Sequence, residues 1–119
     1  MKFNNLSWHD AIIKNIIIDR NNPGKNDNIK IEIVWNDGQC NILSFEDVYW
    51  ADLDMNFGVI CEESIYRAHA EGKENEEVKS LYKRWRGLIN NIDLYFYEIE
   101  TNSTGSRIRI IAQSFVMEG

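Results

Sequence analysis

Acidic side chains gather in one short part of the chain: Glu46, Asp47, Asp52 and Asp54, with Glu62 and Glu63 soon after. Carboxylates at this density can hold a hard cation, dock a basic partner or keep a strand face solvated. Calcium needs its oxygens on a turn, and the spacing here does not match the EF-hand loop. Outward charges commonly protect a strand from sticking to its neighbours. A docking surface also needs an anchor, and Trp50 supplies the aromatic residue that binding hot spots favour. On an extended strand Trp50, Asp52, Asp54 and Asn56 share one face. The candidate binding residues are therefore Trp50, Asp52, Asp54, Glu46 and Asp47, with the solvated face as the competing reading.

The chain has two histidines and two cysteines. His9 and Asp10 would make a base and its neighbour, the basis of an alternative reading as an enzyme or small-ligand protein. Adjacent residues on a strand point to opposite faces, however, and nothing nearby supplies convergent geometry. In the structural reading Ser7 or Asp10 caps a turn, Trp8 packs and His9 hydrogen-bonds. His69 stands near Glu62, Glu63 and Glu71, but no His-Glu-x-x-His or Cys-x-x-Cys spacing points to zinc. Gly58, Gly72, Gly87 and Gly105 are isolated, so no phosphate-cradling loop is visible. Ser44, Ser64 and Ser114 have no visible base. No catalytic residue, metal or cofactor is assigned.

At 119 residues and 44% hydrophobic, the chain is expected to be a single domain, residues 1–119, with a core that needs no metal or disulfide. Met1 to Asp10 carries Asn4, Asn5, His9 and Asp10 where a signal peptide would be apolar, and no apolar run spans a bilayer. A cytoplasmic location is expected, and with it reduced Cys40 and Cys61, half-buried as small apolar residues. The net charge of −6 disfavours nucleic acid and anionic membranes as partners and suits a basic protein.

These residues must be positioned by strands and turns. Ile12 to Asp19 reads as a strand with Ile12, Ile16 and Ile18 on one face, ended by Asn21-Asn22-Pro23-Gly24. Asn28 to Trp35 alternates clearly. A three-residue loop with Gly38 left-handed sets Ile31 opposite Leu43 and Ile29 opposite Phe45, keeping the apolar face continuous. Tyr49 to Phe57 reads as a third partner strand, with Tyr49, Ala51, Leu53, Met55 and Phe57 on its other face. Glu62 to Ala70 reads as a short helix in which Glu63 reaches Arg67, with a strand as the alternative. Val78, Leu81, Tyr82, Trp85, Leu88 and Ile89 fall at helical spacing after an Asn75 cap, and this helix should lie on the sheet with Trp85 central. In the closing hairpin Glu100 faces Arg107, Glu98 faces Arg109, Ile99 faces Ile108 and Tyr97 faces Ile110, giving one charged and one apolar face.

The expected fold is α+β: a mainly antiparallel twisted sheet of about five or six strands with one main helix, and a short second one, packed on one face. Ser7-Trp8-His9-Asp10-Ala11-x-Ile13 followed by Ile16-x-Ile18-Asp19 resembles the opening of small bacterial proteins, several of them grouped with the immunity proteins of polymorphic toxin systems. Phe45-Glu46-Asp47-Val48, Asn56-Phe57-Gly58 and Glu98-Ile99-Glu100-Thr101-Asn102-Ser103 also look like that group. The resemblance implies a non-catalytic protein that neutralises a cognate toxin by binding it. It transfers no binding residue. A basic toxin would suit the acidic charge.

Overall fold

In the computed structural model, which describes residues 2–119, a 3-10 turn at Lys2–Asn5 precedes β1 (Ile12–Ile18), β2 (Ile29–Val34), β3 (Cys40–Asp54), β4 (Glu63–Glu71), α1 (Glu76–Arg84), β5 (Tyr95–Thr101) and β6 (Arg107–Glu118). Every neighbouring pair is antiparallel, and the order β1-β2-β3-β6-β5-β4 closes into a barrel. The expected α+β sheet with helices on one face is thus corrected to a closed six-stranded barrel with, among the described residues, a single α-helix outside it.

Closure depends on the segment read as a short helix. Residues 63–71 form β4 instead, and β4 meets β1 at Ile12↔Ser64 and Ile13↔Glu63. A bulge between Ile65 and Arg67 breaks the period-two pattern there, and the strand given as the alternative reading is the one that forms. Arg67 accordingly pairs across the strands with Glu100, and not with Glu63 along a helix.

Two further bulges redirect side chains. An extra residue between Ile13 and Asn15 puts Ile13, in place of the expected Ile12, on the face that Ile16 and Ile18 share opposite Ile31 and Ile29. Ile16 packs on the core as expected, while Ile18 is exposed at the strand end. In β3 the register shifts between Val48 and Trp50, just after Asp47, whose φ of 54° is left-handed. The segment read as a separate strand is the far half of this long β3, which ends at Asp54 short of Phe57.

The barrel interior is filled. Ile31, Ile33, Leu43, Phe45, Tyr97, Ile99, Ile108 and Ile110 face inward, and the 3-10 turn inserts Phe3, which is fully buried, against Trp8, Phe45, Tyr97 and Phe115. A small barrel packed in this way has no lumen for a ligand, so any site lies on the outside. The N-terminal segment also covers a bare edge of β4: Asn4 bonds both the carbonyl and the amide of Ala70. That spends backbone groups which would otherwise be unpaired.

The expected hairpin register at the Gly38 turn holds, with Ile31↔Leu43 and Ile29↔Phe45. Helix α1 begins at Asn75, whose side chain accepts from the amides of Glu77 and Val78 at 2.8 and 3.2 Å. It ends sooner than expected. Arg86 and Gly87 turn left-handed, so Trp85 is the C-cap and not the centre, and Leu88 and Ile89 lie beyond the helix. Val78, Leu81 and Tyr82 pack on Phe96, Ile111 and Trp50, forming a second apolar layer on the outer face of the barrel. No helix among the described residues is long and apolar enough to cross a membrane.

Candidate functional site

The outer face of β3, β6, β5 and β4 is organised by register. One row across the four strands reads Asp52, Arg109, Glu98, His69, and the next reads Asp54, Arg107, Glu100, Arg67. Each row alternates acid and base. Asp52 bonds Arg109 through a charge-assisted contact, Arg107 lies 3.5 Å from Glu98, and Arg67 donates to Glu100 at 3.0 Å. His69 stands 3.1 Å from Glu71 and 3.9 Å from Glu98. The Arg67 guanidinium is held above the ordinary arginine value by its hydrogen bond to Glu100 and then by the charge of that carboxylate.

This arrangement divides the five residues singled out in the sequence. Trp50 does share the face of Asp52 and Asp54, as the alternation requires. Trp50 is nevertheless half-buried under the α1 layer with the Arg109 guanidinium over its ring at 5.6 Å. Asp52 is taken up by Arg109. Asp54 is exposed at the end of its row, opposite Arg107. Glu46 lies apart, opposite Ser114. Asp47 is exposed at the bulge. The charged face therefore ties strands together at its Asp52 end and is not a continuous acidic surface.

Asp47 and Trp50 do meet in a groove of about 480 Å³ between the tip of the β1–β2 hairpin, the β3 bulge and the end of α1. Tyr49 and Trp85 pack edge to face in it, with ring centroids 5.5 Å apart. Trp85 is 39% exposed. Arg20 and Asp27 face each other at 3.1 Å on the opposite wall, and Asp27 also accepts from the amide of Gly24. The bulge creates this groove: the extra residue in β3 brings Tyr49 and Trp50 to the same side, where strict alternation would separate them. Sequence reasoning missed Tyr49, Asp27 and Arg20 as groove residues and placed Trp85 in the centre of a helix. The only local signal was the Asn-Asn-Pro-Gly turn that forms one wall.

The alternative pair, His9 and Asp10, is exposed and serves the turn before β1. His9 Nδ1 lies 3.2 Å from the Tyr66 carbonyl, its Nε2 is 3.5 Å from Asp10, and the Asp10 amide donates to the Ile65 carbonyl. Asp10 has a φ of 67°, a left-handed value that aspartate tolerates in tight turns. These contacts attach the N-terminal segment to β4. No group of three or more His, Cys, Asp or Glu side chains among the described residues is placed to hold a metal ion. Cys40 and Cys61 are free thiols, and both are exposed, not half-buried as expected.

No protein-family model matches the chain, and no curated protein matches it.

Proposed function

We propose that this protein is a non-catalytic binding domain that docks a basic protein, the role implied by its resemblance to immunity proteins that neutralise a toxin. One observation carries the reading: the groove between Asp27, Asp47, Tyr49 and Trp85 joins exposed aromatic surface to acidic walls. Tryptophan and tyrosine supply large rigid contact area at low entropic cost, and they dominate binding hot spots. Asp47 is exposed, Asp27 is ion-paired with Arg20 so that Asp47 leaves the charged lining one unit negative, and the net charge is −6. Such a field speeds association with a cationic partner.

The test is affinity capture with the wild-type protein and with Trp85→Ala, followed by titration of the retained partner. A basic protein bound stoichiometrically, with affinity reduced at least about tenfold by Trp85→Ala and lowered by salt, supports the proposal. A captured protein that binds Trp85→Ala as tightly as the wild type overturns the groove as the docking site. If the captured partner is acidic and its binding is insensitive to salt, the electrostatic reading fails.

A further inference from the structure

The barrel is closed along only part of its seam. β1 pairs with β4 at Ile12 and Ile13 and nowhere else, and from Lys14 to Ile18 its side away from β2 has no strand partner among the described residues. The chain that would continue β4 backwards along this edge, residues 57–62, makes no backbone hydrogen bond to it. Between the two lies a groove of about 420 Å³, lined by Ile13, Ile16, Met55, Phe57, Val59 and Glu63 among others. Two of its apolar lining residues are well exposed: Phe57 is 84% and Val59 51% accessible. It shares no lining residue with the groove beside Trp85, so the inference stands apart from the function proposed above.

A bare strand edge is a template for another strand, and proteins usually blunt such edges. This chain does so on β4, where Asn4 covers Ala70, and leaves β1 open beside exposed apolar side chains. The seam is also short of a cation. Glu62 is paired with Lys14 at 3.0 Å. Glu63 accepts from Thr104 at 2.7 Å through one carboxylate oxygen, while its other oxygen is buried with no hydrogen-bond partner. A buried carboxylate oxygen left in this way favours an incoming donor, and a cationic side chain most of all.

We propose that this seam docks an extended segment of a protein partner, which adds to β1 as a further strand, places alternate apolar side chains against Ile16, Phe57 and Val59, and presents a basic side chain to Glu63. Backbone ladder bonds supply affinity in this mode, and alternate side chains supply specificity. A second copy of the chain is the poorer occupant. Its own β1 offers Lys14, already held by Glu62, and each copy carries a net charge of −6.

The experiment is an amide-resolved NMR titration of the whole protein with a blocked octapeptide of alternating valine and lysine, and with the same peptide carrying glutamate for lysine. Expected are shifts and slowed amide exchange at Lys14 to Ile18 and in residues 57–61 with the lysine peptide, at a Kd on the order of 1 mM or tighter. The glutamate peptide should bind about tenfold more weakly, and Glu63→Gln should weaken the lysine peptide by a similar factor. Because Glu63→Gln also touches the Thr104 bond, Val59→Asp on the exposed loop is the second variant. It should weaken the peptide several-fold without changing the melting temperature. Shifts confined to another surface, equal binding of both peptides, no shifts at β1, or protection of the same amides by self-association alone would each overturn the proposal.

Discussion

Asp52 on β3 and Arg109 on β6 stand directly opposite each other, 57 residues apart in sequence, joined by a charge-assisted hydrogen bond. Arg109 also covers the Trp50 ring and lies 3.8 Å from Glu77 at the start of α1. One guanidinium thus links the barrel wall, the aromatic layer and the helix. Asp52→Lys would set two cations opposite one another across the strands. Partly exposed cross-strand pairs contribute modestly, so the variant should lose about 1 kcal/mol in urea unfolding. The charge swap Asp52→Lys with Arg109→Asp should recover part of that loss. Full additivity of the two single variants would show that the pair is not coupled.

Phe3 is the plug of the barrel. It is fully buried among Trp8, Phe45, Tyr97 and Phe115, and Trp8 donates its indole N–H to the Phe3 carbonyl at 2.8 Å. Phe3→Ala should cost about 3–5 kcal/mol, the range for removing a large aromatic side chain from a core that relaxes incompletely. Chemical denaturation measures it. A loss below about 1 kcal/mol would mean that the N-terminal turn is dispensable to the core.

The short-range features of this fold were legible because a turn and a few alternating residues decide them. Glu98↔Arg109 and Glu100↔Arg107 follow from the loop at Asn102 to Gly105, and the Gly38 turn sets Ile31 against Leu43. What stayed hidden lies in bulges and long-range pairing. The extra residue near Arg67 breaks the alternation of β4, and without β4 the sheet has no means of closing. The shift at Val48 to Trp50 put Tyr49 beside Trp50, so half of the aromatic groove was invisible to an argument from alternation. Asp52 was legible as an outward acid, but its partner was not, because nothing local pairs β3 with β6.

The Asn75 cap tests whether α1 is held by its own signals or by the sheet. Its side chain satisfies the amides of both Glu77 and Val78, and Val78 is fully buried. Asn75→Ala should cost about 1 kcal/mol, with Asn75→Asp and Asn75→Ser close to wild type. Equal losses for all three variants would assign the effect to the Asn75–Glu71 contact instead of the cap.

Tyr97 makes alkaline stability a readout of the barrel interior. Tyr97 packs in the core, 2% exposed as a residue, and burial, followed by the nearby Tyr95, pushes its pKa up to about 12 from the ordinary value of 10.0. Below pH 10 the phenol is neutral in both folded and unfolded chains, so its contribution to stability is fully present. Between about pH 10 and 12 the unfolded chain releases this proton and the folded one retains it, which favours unfolding. Stability should therefore fall as pH rises through this window, by at most roughly 3 kcal/mol from this residue, taking about 1.4 kcal/mol per unit. Urea unfolding at pH 9 and at pH 11 measures the slope. Tyr97→Phe keeps the ring in the core and removes the titrating group, so its slope should be the shallower of the two. If the two proteins lose stability in parallel, the alkaline transition arises from other groups, and Tyr97 does not govern it.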